Sequence, residues 1–179
     1  MKLKDYKRSP SITWDKESTS NMIRISFLNT RSMVNKFDNI TSDLSLQQSD
    51  VIVLAETWIP ENSKVKYRIE KYDTHLNNGD RGKGLAIFSK SDFDVISDLN
   101  EENINITKIE SNDLDIIAIY RSKDGSLKSL VDKLKKAIDL SKSTLVIGDM
   151  NICNKKHPRN ELKTFLEDNK FSARKRSPA

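Results

Sequence analysis

The sequence predicts an α/β (α+β) fold, a four-layer sandwich of two mixed β-sheets packed face to face with helices outside. Three observations lead there. Two amphipathic helical stretches are each followed by a short apolar run, a series of short strand candidates lies between them, and 179 residues suffice for one domain, at the low edge for such a sandwich. Apolar residues at 36% and charged residues at 32% match ordinary globular chains, so a packed core is expected and wholesale disorder is not.

Residues 1–21 are polar, rich in Ser and Lys and without periodicity, and read as a flexible leader in which Ile12 and Trp14 dock on the body. The domain proper is placed at 22–179. Ile23, Ile25 and Phe27 alternate with polar residues and run into Leu28 and Asn29, the pattern of a strand ending in a loop. Val34, Phe37, Ile40, Leu44 and Gln47 follow helical spacing, and Asp50 to Leu54 is the apolar run of a buried strand.

Asn77, Asn78 and Gly79, with Gly82 and Gly84, predict a turn before a strand from Leu85 to Ser89. Val95 to Asp98, Ile104 to Ile109 and Leu114 to Tyr120 form a β meander. A second amphipathic helix carries Leu127, Leu130, Val131, Leu134 and Ile138 on one face and feeds the run Leu145 to Ile147. Pro158 opens a last helix in which Leu162, Phe165, Leu166 and Asn169 share a face.

Several function classes recede on composition. No window approaches the roughly 18 apolar residues of a membrane helix, and the first residues lack an apolar signal core, so an intracellular protein without a membrane partner is expected. Cys153 has no second cysteine to pair with and reads as a small buried hydrophobe; two histidines leave little for a zinc cage, so carboxylates must hold any metal. The net charge of +5 permits a polyanionic partner and equally describes a lysine-rich solvated surface. The basic run Arg174, Lys175, Arg176 reads as a frayed tail, and beyond it no import signal supports the nuclear location that a DNA substrate suggests.

Candidate chemistry lies where polar residues follow apolar strands. Asn29, Glu56, Tyr120, Asp149 and Asn151 each sit at or just after a strand's C-terminal end, where α/β folds gather their sites. A carboxylate at Glu56 is placed either to meet a divalent cation or to cap the next turn. In Gly148-Asp149-Met150-Asn151, an acid and a carboxamide two residues apart point into one cleft, or form an ordinary Asp/Asn turn. Trp58 and Pro60 line a groove or anchor a loop. His75 and His157 read as structural or surface residues.

Five ordered segments, Phe27-Leu28-Asn29-Thr30-Arg31-Ser32, Ala55-Glu56-Thr57-Trp58, Gly82-Lys83-Gly84-Leu85-Ala86-Ile87, Ile119-Tyr120-Arg121-Ser122 and Ile147-Gly148-Asp149-Met150-Asn151-Ile152, resemble the endonuclease/exonuclease/phosphatase superfamily. Their wording is similar to endonuclease domains of non-LTR retrotransposons and related mobile elements, over roughly residues 22–171. The resemblance implies a DNA phosphodiesterase using Mg²⁺, or Mn²⁺, with in-line attack by water. It implies Glu56 as metal ligand, Asn29 supporting metal and phosphate, Tyr120 contacting the scissile phosphate, Asp149 positioning the water, and Asn151 contacting the transition state.

Departures accompany the match. Arg31 stands where some members carry an acid, and the late aspartate and terminal Asp-His pair of the family have no counterpart in this sequence. The expectation is a domain whose last strands are missing and whose activity is weak or absent. The rivals are a noncatalytic nucleic-acid- or protein-binding module of the same fold and a lipid or sugar phosphatase relative.

Overall fold

The computed structural model of the chain describes residues 11–14 as backbone, and 22–60, 67–77, 79, 81–90, 92–152 and 160–172 in full. Five strands form the first sheet in the order β1 (Ser11–Trp14), β2 (Ile23–Asn29), β3 (Val51–Ala55), β5 (Leu85–Ser89), β4 (Asp73–Asn77). Four form the second, β6 (Asp94–Asp98), β7 (Ile104–Glu110), β8 (Leu114–Arg121) and β9 (Ser143–Asp149). Both sheets are mixed: β2 and β3 run parallel, as do β8 and β9, and the other neighbours are antiparallel.

The period of two along each strand decides the layers. Val51, Val53 and Ala55 of β3 face the second sheet, where Ile116, Ala118, Tyr120 and Ile147 meet them, while Ile52 and Leu54 face outwards. The outward side is buried as well, under Met33, Ile40 and Leu46 of the segment with helices α1 (Phe37–Thr41) and α2 (Leu44–Gln47). Burial on both faces is why β3 is an unbroken apolar run. On the second sheet Ile104, Ile106, Ile117 and Ile119 pack under α3 (Leu127–Ala137) and α4 (Glu161–Asp168) through Leu130, Val131, Leu134 and Leu162. Each such fully buried aliphatic side chain contributes about 1.5–3 kcal/mol. The four-layer architecture expected from the sequence is thus present.

The single helix expected around 34–47 is two short ones. Asp43 interrupts it, because its carboxylate accepts the Ser45 N–H at 2.9 Å and caps α2 afresh. Val34 and Leu44, expected on the apolar face, are 42% and 71% exposed, and Met33 and Leu46 take the buried positions. Strand β4 went unforeseen because Asp73-Thr74-His75-Leu76-Asn77 lies at a sheet edge, where no continuous apolar run is required. Ser11–Trp14, assigned to the leader, pairs antiparallel with β2, so the first sheet starts ahead of residue 22. Its Ile, Thr and Trp suit an extended chain, and pairing covers an edge that β2 would otherwise present. Helix α4 starts from Asn160, whose side chain accepts the Lys163 N–H at 2.9 Å. Pro158, Cys153, His157 and the run from Arg174 to Arg176 lie outside the described residues, as do the side chains of Ile12 and Trp14.

Candidate active site

Two parallel pairs, β2 with β3 and β8 with β9, bring four C-terminal strand ends to one end of the sandwich. Asn29 ends β2 opposite Ala55, the residue before Glu56; Tyr120 on β8 stands opposite Asp149, the last residue of β9. The five residues expected from the sequence therefore assemble across the gap between the sheets. Asn29 Nδ2 donates to Glu56 Oε1 at 2.9 Å and to Asp149 Oδ2 at 2.6 Å, one carboxamide bridging two acids 93 positions apart in sequence, the difference between 149 and 56. Asp149 Oδ1 accepts the Asn151 N–H at 3.1 Å, and Asn151 Nδ2 donates to the Arg121 carbonyl at 2.9 Å. The Tyr120 hydroxyl donates to the Gly82 carbonyl.

Asn29 faces the acids with its nitrogen, and its Oδ1 accepts the Arg31 N–H at 3.2 Å. Two close carboxylates require a donor between them, and the amide nitrogen supplies both hydrogens.

The loops carrying these groups adopt backbone conformations that L-residues avoid. Arg31 (φ 46°), Ser32 (φ 82°), Glu56 (φ 53°), Trp58 (φ 55°) and Asn151 (φ 48°) are all left-handed, each at a cost of about 1–3 kcal/mol. Hydrogen bonds hold them there. Thr30 Oγ1 lies 3.0 Å from both the Ala55 and Glu56 carbonyls, Ser32 N–H donates to Glu56 O at 2.8 Å, and Trp58 N–H donates to Lys83 O at 3.1 Å. Gly148 is obligatory in a different way: a Cβ there would sit 1.9 Å from the Ile119 carbonyl of β8.

Away from this end two acids are held by lysines: Asp115, fully buried, lies 2.6 Å from Lys108 Nζ, and Asp50 lies 2.6 Å from Lys90 Nζ. Among the described residues neither Glu56 nor Asp149 is ion-paired. Burial, then the charges of Glu56 and Asp149, push the Tyr120 phenol up to about 12, so it keeps its proton and acts as a donor. Two carboxylates without an ion pair among the described residues form a hard, all-oxygen donor set that fits Mg²⁺ or Mn²⁺, and Mg²⁺ usually takes one or two carboxylates with water and phosphate for the rest. No group of three His, Cys, Asp or Glu occurs among the described residues, so an all-protein cage is not formed there.

The remaining candidates fall outside the cluster or beside it. His75 Nε2 lies 3.0 Å from Asp98, joining β4 to β6 on the far flank. The Arg81 guanidinium stands 5.7 Å from the Trp58 ring centroid, and the indole Nε1 is buried with no hydrogen-bond partner among the described residues, so Trp58 packs as a loop anchor with one face under an arginine. Gly82 and Gly84 form the expected turn, left-handed at φ 80° and 96°. Arg121 was not singled out from the sequence, yet it is 6% exposed and donates through Nη1 to the Met150 carbonyl at 2.7 Å, bracing the Asp149–Asn151 turn. Its only sequence signal is its place directly after Tyr120.

No helix among the described residues is long and apolar enough to cross a membrane. No curated protein matches the sequence. Among solved structures, the endonuclease domain of TRAS1, a telomere-specific non-LTR retrotransposon, superposes with TM-score 0.57 at 17% identity, over 82% of this chain and 72% of that one. An AP endonuclease from Archaeoglobus fulgidus gives TM-score 0.56 at 19% identity, over 84% of this chain and 66% of that one. A humanized D. rerio TDP2 gives 0.53 at 17% identity, over 76% of this chain and 69% of that one. At such identities these likenesses establish the fold. The sequence profile of the Endonuclease/Exonuclease/phosphatase family matches residues 26–175, a span that contains all five clustered residues, and the chain belongs to that family.

Proposed function

We propose that the chain is a metal-dependent phosphodiesterase domain that cleaves DNA, with Mg²⁺ or Mn²⁺ held by Glu56 and Asp149. One observation carries this reading: two partly buried carboxylates from different sheets are brought together by a neutral carboxamide and, among the described residues, matched by no cation, whereas the fully buried Asp115 is paired with Lys108. The names of similar structures support a nucleic-acid substrate: two are endonucleases, and D. rerio TDP2 is known in complex with a single-strand DNA product, at TM-score 0.51.

In this reading each residue has a chemical task. Glu56 and Asp149 would hold the divalent cation, which would supply charge compensation at a phosphate oxygen during in-line attack. Asp149, fixed by Asn29 on one oxygen and by the Asn151 N–H on the other, retains lone pairs to orient the attacking water and accept its proton. Tyr120, protonated at neutral pH, transfers its hydrogen bond from the Gly82 carbonyl to a phosphate oxygen. Asn151 has one amide hydrogen on Arg121 O and a second to donate to the phosphate.

Supercoiled plasmid with Mg²⁺ or Mn²⁺ tests it. Weak nicking by the chain, lost in Glu56→Ala and in Asp149→Ala, is the expected result. Nicking that survives both substitutions overturns the site; absence of nicking at any metal concentration overturns catalysis and leaves a binding module of the same fold.

A further inference from the structure

Asn105 lies on β7 directly across from Tyr120 on β8, and is 8% exposed. Its side chain reaches the opposite sheet. Oδ1 accepts the Gly84 N–H at 3.3 Å, and Nδ2 donates to Asn77 Oδ1 at 3.2 Å. Asn77 is 4% exposed and ends β4 before the glycine loop; its Nδ2 donates to Thr107 Oγ1 at 3.0 Å and to Asn100 Oδ1 at 2.8 Å. One buried carboxamide thus grips both ends of the loop that leaves β4 and enters β5.

That loop is the surface on which two site segments rest. Its Gly82 carbonyl takes the Tyr120 hydroxyl, its Lys83 carbonyl takes the Trp58 N–H at 3.1 Å, and its Gly84 carbonyl takes the Thr57 N–H at 3.4 Å. The loop therefore fixes both the phenol and the left-handed turn that begins with Glu56. Space for adjustment is small: a Cβ on Gly84 would come within 2.5 Å of Thr57 Oγ1, and one on Gly79 within 2.3 Å of Gly84 N.

We infer that Asn105 is a positioning residue for this site: by clamping Gly84 to the second sheet, it sets where the Gly82 carbonyl holds Tyr120 and where the Glu56 turn lies. A catalytic meaning for this clamp rests on the function proposed above, but the clamp itself is readable without metal or substrate. A buried polar layer with no such role would lose stability on mutation and leave Tyr120 untouched.

The experiment follows the tyrosine Cζ signals of ¹³C-labelled full chain by NMR at neutral pH, with Tyr120→Phe identifying the Tyr120 resonance among the four tyrosines. Amide exchange of Gly84 is read alongside. Asn105→Leu keeps the shape and removes both bonds; Thr107→Val removes bonds of the same network that do not reach Gly84. The expected result is that Asn105→Leu moves the Tyr120 signal towards that of free tyrosine and speeds Gly84 exchange at least tenfold, with Thr107→Val changing neither. An unmoved Tyr120 signal in folded Asn105→Leu, or an equal movement in Thr107→Val, overturns the proposal. Should the leucine variant not fold, Asn105→Ser, polar but too short to reach Gly84, is read in the same way. Failure of the proposed function shows separately, as a wild-type chain that does not nick plasmid.

Discussion

The two ends of the sandwich use similar residues to opposite effect. At the end where β3 begins, Asp50 accepts the Arg24 N–H at 2.8 Å and the Lys90 ammonium at 2.6 Å, and Tyr72 donates to the carbonyls of Gln47 and Ser49 at 2.9 and 2.5 Å. The Asp50 hydrogen bond holds the Lys90 ammonium above its ordinary value. At the end where β3 stops, two acids meet one neutral Asn29, a phenol is pushed up to about 12, and five non-glycine residues are left-handed. Charge balanced within the fold stabilises it; charge left unpaired among the described residues, on a backbone held in costly conformations, is available to a ligand.

Breaking the unbalanced end has the largest expected effect. Glu56→Ala or Asp149→Ala lowers metal-dependent nicking by at least about 100-fold with the fold retained, since a lone acid no longer holds the cation. Gly148→Ala acts on stability: its Cβ collides with the Ile119 carbonyl, and chemical denaturation should show a loss of about 3 kcal/mol or more as β8 and β9 separate. Asn29→Asp places a third acid between the two and costs about 1–3 kcal/mol without metal, part of which Mg²⁺ restores in a thermal melt.

The balanced end sharpens the contrast by responding weakly. Lys90→Met should cost under about 1 kcal/mol, because the ammonium is 42% exposed, and should leave nicking unchanged. The sign with pH follows from the raised lysine value: the pair's contribution is complete below the unfolded value of 10.5 and disappears as pH rises through the higher folded one. Denaturation of wild type and variant should therefore converge above that range.

The sandwich was legible where burial is two-sided. Val51 to Ala55 throughout, and Leu114 to Tyr120 apart from Asp115, are apolar because both faces are covered; Glu56 follows such a strand, and Asp149 ends the shorter apolar run of β9. The edges of the first sheet were not legible: β1 and β4 lie at its margins and need no continuous apolar run. The break at Asp43 was missed because periodicity does not register a side chain that competes for a backbone N–H. Within the site, strand ends and motif order located five residues, but the Asn29 bridge and the Asn105 clamp depend on how two sheets face each other, and no local pattern encodes that.

The central claim is that Glu56 and Asp149 together hold a divalent cation, and Mn²⁺ binding followed by electron paramagnetic resonance tests it apart from catalysis. One Mn²⁺ site per chain is expected in wild type, displaced by Mg²⁺ and lost in both Glu56→Ala and Asp149→Ala. Mn²⁺ binding equally in wild type and both variants, or no binding by any of them, would contradict it.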